Sequence, residues 1–115
     1  MGMFRKTVWA AGLTMALASA AVAAEPIEGN WKTASGETAA IAKCGQAFCV
    51  TLKTGKFAGK QIGRMDGQGN DYKGEITDPE NDKTYAGTGA VTGNSLKMKG
   101  CVLAVFCKAQ TWTRL

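Results

Sequence analysis

The sequence has 115 residues, 14 of them basic and 9 acidic, with four cysteines and no histidine. That length holds one small domain rather than two. The missing histidines remove Ser-His-Asp triads and most proton shuttles, and lysines standing singly rather than in a run argue against nucleic-acid binding.

Arg5 and Lys6 form a short positive region, Thr7 to Ala18 run without a charge, and Ala21-Val22-Ala23 supply a small-residue cleavage site, cleavage after Ala24 being equally suited. The pattern predicts a Sec-type signal peptide over residues 1–24 and a periplasmic or secreted domain over 25–115. The apolar run is shorter than the about 20 residues of a spanning helix. No second such run follows, so no membrane span is expected in the mature form, and no cysteine follows the leader to carry a lipid anchor. Without Arg5 and Lys6, 12 basic and 9 acidic residues remain, a mild charge of +3.

An even number of cysteines in a small exported domain predicts two disulfides. Zinc would call for tighter spacing, usually with histidine. Of three connectivities, Cys44–Cys49 and Cys101–Cys107 are favoured because each pair brackets an expected hairpin turn. Each closes a loop of about six residues, which chain entropy makes worth about 2 kcal/mol, a sizeable share for so small a domain.

Short alternating segments separated by glycine and asparagine predict eight strands and no helix. They are expected at Ile27–Thr33, Thr38–Cys44, Cys49–Thr54, Ala58–Met65, Tyr72–Thr77, Lys83–Val91, Ser95–Cys101 and Phe106–Arg114. Ala58–Met65 is the least regular, since its glycines interrupt the alternation. Ser35-Gly36, Gly55-Lys56 and Gly93-Asn94 suit turns, Asp66–Asp71 a flexible loop, and Asp78-Pro79-Glu80-Asn81-Asp82 a tight turn. Eight strands on short turns predict a small antiparallel up-and-down β-barrel whose first and last strands pair, leaving no open edge. A sandwich is the competing architecture.

Five motifs carry a family resemblance: Gly29-Asn30-Trp31, Cys44-Gly45, Asp78-Pro79 with Lys83-Thr84-Tyr85, Leu96-Lys97-Met98-Lys99-Gly100, and Gln110-Thr111-Trp112-Thr113-Arg114. Their order resembles DUF2147, a family of small exported bacterial proteins of uncharacterised function. The chain is shorter than many members between Cys49 and Asp78-Pro79. Gly29-x-Trp31 with Arg114 also resembles the Gly-x-Trp…Arg feature of lipocalins, which implies that Arg114 lies across Trp31 and closes one barrel end. A guanidinium stacks on an indole and its spare N–H groups satisfy carbonyls, so this trio is expected to be structural.

Catalysis is not expected. Ser35 and Ser95 adjoin turn residues, and Glu28, Glu37, Glu75 and Asp78 show no converging spacing of the kind a carboxylate pair needs. Asp78, Glu80 and Asp82 read as a turn rather than a calcium loop. Apolar residues in the cysteine-closed loops, Phe48 in one and Val102, Leu103 and Val105 in the other, either form contact surfaces or fold down to plug the barrel, at opposite ends in either case. Inward candidates are Trp31, Ile41, Val50, Leu52, Tyr72, Ile76, Tyr85, Val91, Leu96 and Met98. Eight strands enclose just enough room for side chains or one small ligand. Gly74, Gly87 and Gly89 either leave a narrow cavity or make room for the aromatics beside them, with the second favoured.

The expectation is therefore a monomeric, non-catalytic binding module without cofactor or metal. It would take a small apolar or amphipathic ligand near Phe48, Tyr72, Tyr85, Met98, Val102, Leu103, Val105 and Trp112. The alternative is a protein-interaction module, such as an inhibitor of a cell-wall hydrolase, acting on a periplasmic partner through its disulfide-closed loops.

Overall fold

A computed structural model describes residues 24–102 and 106–115; most of the expected leader, and Leu103 and Val105, lie outside them. The chain forms eight strands: β1 (Gly29–Lys32), β2 (Thr38–Cys44), β3 (Ala47–Leu52), β4 (Gln61–Gln68), β5 (Asp71–Asp78), β6 (Lys83–Thr92), β7 (Ser95–Val102) and β8 (Phe106–Arg114). Each pairs antiparallel with the next, and β8 returns to β1, so the sheet is a closed barrel. The expected fold class is the observed one.

The alternation of the sequence sets which side chains point inward. Tyr72 and Ile76 on β5, Val91 and Gly89 on β6, Leu96 and Met98 on β7, and Trp112 on β8 occupy alternate positions and meet their partners in register. Tyr72, Val91, Leu96, Met98 and Trp112 form one buried cluster with Ile27, Trp31, Ile41, Phe48, Val50, Leu52, Ile62 and Met65, and the half-buried Ile76 packs against it. Cys44–Cys49 and Cys101–Cys107 are both bonded. The first straps the two-residue turn Gly45-Gln46 between β2 and β3, and the second ties directly opposed residues of β7 and β8.

Several strand ends shift by one or two residues, β1 shortening from Ile27–Thr33 to Gly29–Lys32, and the larger differences lie between β3 and β5. β3 begins at Ala47 rather than Cys49, because Ala47 and Phe48 continue the ladder against Cys44 and Lys43. The two-residue turn expected at Gly55-Lys56 is an eight-residue loop, 53–60, held by Leu52 N–H to the Lys60 carbonyl and Gly59 N–H to the Leu52 carbonyl. The fourth strand therefore slides along the chain to Gln61–Gln68 and absorbs the expected loop at Asp66–Asp71, leaving Gly69-Asn70 as the turn. Glycines that interrupt the apolar alternation make this possible. A side chain on Gly63 would press on Val50, and one on Gly67 would strike Tyr72 and the Asp71 carbonyl.

The seam also differs from the edge-free closure expected. β1 and β8 share only two register pairs, Trp31↔Arg114 and Lys32↔Thr113. β1 is four residues long and β8 nine, so β8 runs on past its partner from Thr111 back to Phe106.

Inward glycines set how tightly the walls approach. A Cβ on Gly74 would overlap the carbonyl oxygen of Arg64 on the neighbouring strand, a main-chain atom with no freedom to withdraw. Gly74→Ala is expected to lower stability by about 3 kcal/mol, the upper part of the overpacking range. Urea denaturation with an unchanged slope checks this, and a midpoint equal to the native one would refute so close an approach.

Candidate functional site

The two barrel ends are built differently. At the end where the chain enters, Arg114 Cζ lies 4.2 Å from the centroid of the Trp31 ring. The same guanidinium donates to the carbonyls of Glu28, at 3.1 Å, and Pro26, at 2.7 Å. Trp31 Nε1 donates to the Ile27 carbonyl at 2.9 Å. Gly29 takes a positive φ of 131°, and a Cβ there would lie 3.1 Å from the Arg114 nitrogen, so glycine leaves room for the guanidinium. Gly29, Trp31 and Arg114 thus form one plug.

Phe48 and Tyr72 add to it. Their rings meet edge to face with centroids 5.6 Å apart, and both are buried. Tyr72 donates its hydroxyl proton to the Gly69 carbonyl at 2.6 Å. Of the two roles open to Phe48, contact tip or plug, its position is the plug's. Burial pushes the Tyr72 hydroxyl above the usual tyrosine range, the carboxylate of Glu25 adding to the shift.

The other end is open. A cavity of about 990 Å³ enters there, walled by Leu52, Phe57, Ile62, Ile76, Tyr85 and Met98, with Trp112 also lining it. Polar groups sit around its mouth, among them Ser35, Glu37, Lys56, Asp78, Glu80 and Lys108. Many are engaged within their own turns. Ser35 donates its hydroxyl to Glu37, at 2.9 Å, and the Glu80 N–H donates to Asp78, also at 2.9 Å.

The sequence-derived candidates therefore divide. Tyr85, Met98, Val102 and Trp112 line the cavity, whereas Phe48 and Tyr72 belong to the closed end. Two of the three inward glycines make room for side chains, but aliphatic ones rather than aromatic. A Cβ on Gly87 would overlap Ile76, and one on Gly89 would crowd Met98. Phe57, Phe106, Lys108 and Gln110 are lining residues that the sequence reading missed. For the last three a signal was present: they share the parity of Trp112 along β8 and so its inward face. Phe57 had none, since its loop was expected to be a two-residue turn.

Two tests follow for the closed end. Arg114→Ala is expected to cost about 1–3 kcal/mol through loss of the stack and of two hydrogen bonds to carbonyls, read as a lower denaturation midpoint. For Tyr72, the folded state holds its proton more tightly than the unfolded chain does, so stability is full below about pH 10 and falls as pH rises beyond it. Tyr72→Phe is expected to flatten that alkaline fall; an equal slope in both proteins would refute the assignment.

Residues 51–114 match the family described as "Uncharacterized protein conserved in bacteria (DUF2147)". The match runs from within β3 to the end of β8 and includes the cavity-lining rows of β5 to β8, while Gly29, Trp31 and Cys44 precede it. Neither a curated protein nor a solved structure matches the chain.

Proposed function

The chain belongs to the DUF2147 family, and from that premise we propose that its barrel is a non-catalytic periplasmic or secreted module that holds a small apolar or amphipathic ligand in the open-ended cavity. The observation that carries this reading is the gradient along the barrel axis. Aromatic and apolar side chains form the floor and walls, and charged or hydroxyl groups collect at the mouth. A ligand with an apolar body would enter first by that body and leave its polar end among the rim groups. A cavity of about 990 Å³ lies at the upper end of the range usual for small-molecule sites.

Two further features support it. The Gly29, Trp31 and Arg114 plug has the composition of the lipocalin feature it resembles, and a barrel shut at one end and open at the other suits a carrier. Two disulfides suit an oxidising compartment. A second reading, contact with a protein partner through the β7–β8 hairpin, is favoured by Val102 and Phe106, which are 41% and 71% exposed. Phe48, in the other cysteine-closed loop, is buried and contributes nothing to it.

Native mass spectrometry of protein taken gently from its host is expected to show an extra mass that leaves on denaturation. In the purified protein, 8-anilinonaphthalene-1-sulfonate is expected to fluoresce on binding. Gly100→Phe, which places a ring where Gly100 lines the wall, should raise its Kd at least tenfold, about the effect of losing one good apolar contact. A bare mass together with unaltered dye binding in the variant would exclude the carrier reading and favour the hairpin.

A further inference from the structure

The unequal lengths of β1 and β8 leave main-chain groups without a strand to meet. On β8, the Arg114 N–H donates to the Asn94 carbonyl on the β7 side, and the Leu115 N–H donates to the Asn30 carbonyl on the β1 side. Main-chain groups alternate in direction along a strand. Even-numbered residues of β8 therefore bond toward β7, and odd-numbered ones toward β1. Register with β1 ends at Lys32↔Thr113, so the N–H and C=O of Cys107, Ala109 and Thr111 face outward along an open edge. Among the described residues no other main-chain group bonds to them, and all three residues are exposed.

The side chains around this edge say what would suit it. Its inner face carries Phe106, Lys108 and Gln110, which border the cavity. Its outer face carries the small residues Ala109 and Thr111, set in register with Lys99 and Lys97 of β7, both exposed. A strand laid on the edge would sit about 10 Å from β7, two strand spacings away. That is within the combined reach of a lysine and a glutamate side chain across the low profile of Ala109 and Thr111.

The geometry points to the β8 edge, Cys107 to Thr111, as a strand-addition site for an extended segment of another protein, with acidic residues on its outward face and apolar residues on its inward face. Main-chain hydrogen bonds would supply affinity and the alternating side chains specificity, as in other edge-strand recognition. A second copy of this chain fits less well, because its own edge would bring another Lys97, Lys99 and Lys108 against the first three. The assignment rests on main-chain direction and charge, and stands whether or not the cavity holds a small molecule.

The test uses a fluorescein-labelled, amidated nonapeptide of alternating glutamate and valine, with a lysine-valine peptide as control. The glutamate peptide is expected to bind, and the lysine peptide to bind at least tenfold more weakly. Hydrogen exchange should show new protection at the amides of Cys107, Ala109 and Thr111, while those of Lys108 and Gln110 stay as slow as before. Ala109→Pro removes one outward N–H without touching the β7 ladder, a place where an edge strand tolerates proline; it should weaken binding at least tenfold. If that variant does not fold, Lys97→Glu with Lys99→Glu should reverse the preference between the two peptides. The assignment is overturned by no binding up to about 1 mM, by equal binding of both peptides, or by affinity that survives Ala109→Pro. Amides of Cys107, Ala109 and Thr111 already protected without peptide would also overturn it, since another part of the chain or a second copy would then cover the edge.

Discussion

Arg114 lying on Trp31 is the contact on which the rest of the barrel depends. It joins the last strand to the first through a planar cation on an indole face, and it anchors the residues before β1 by two hydrogen bonds to their carbonyls. The seam itself has only two register pairs, a short ladder for holding a sheet shut. A side-chain bridge that also satisfies carbonyls adds what the missing ladder rungs do not. The plug gathers Ile27, Trp31, Phe48, Tyr72 and Arg114 at one end, and the other end stays open.

One of the two disulfides reinforces a place where strand pairing runs short. Cys101–Cys107 lies where β7 reaches its last partner on β6, Ala86, and where β8 has no β1 beside it. Among the described residues that part of β8 has no β1 partner, and a covalent tie holds β7 and β8 together there. Cys44–Cys49 straps a turn already supported by full ladders, and the Arg64 guanidinium stands 3.7 and 3.8 Å from its two sulfurs. The two bridges sit at opposite ends of the barrel, one beside the plug and the other beside the mouth.

Glycines govern the interior as much as the large residues do. At Gly74 and Gly67 the walls approach so closely that main-chain atoms occupy the space of a side chain, whereas Gly87 and Gly89 are filled by Ile76 and Met98. The narrowing is thus confined to the lower and middle barrel. Above it, Tyr85, Gly100 and Val102 line the cavity. Filling and cavity, posed as alternatives by the glycine pattern, occur at different heights.

By itself the sequence determined that the protein is an eight-stranded antiparallel β-barrel, which cysteines pair and that Arg114 meets Trp31. The first two follow from local chemistry, period-two alternation and turn residues, and the third from the resemblance to the Gly-x-Trp…Arg feature of lipocalins. It marked β2 and β8 to the residue. It misplaced β4, because glycines hide the alternation when the space they leave is filled from another strand. Only the tertiary structure decided that Phe48 turns inward, that Phe57 reaches the mouth from a loop, and that the seam closes over two pairs rather than along the whole of β8. Each depends on the relative lengths and register of strands distant in sequence, and no local pattern records how far two such strands run side by side.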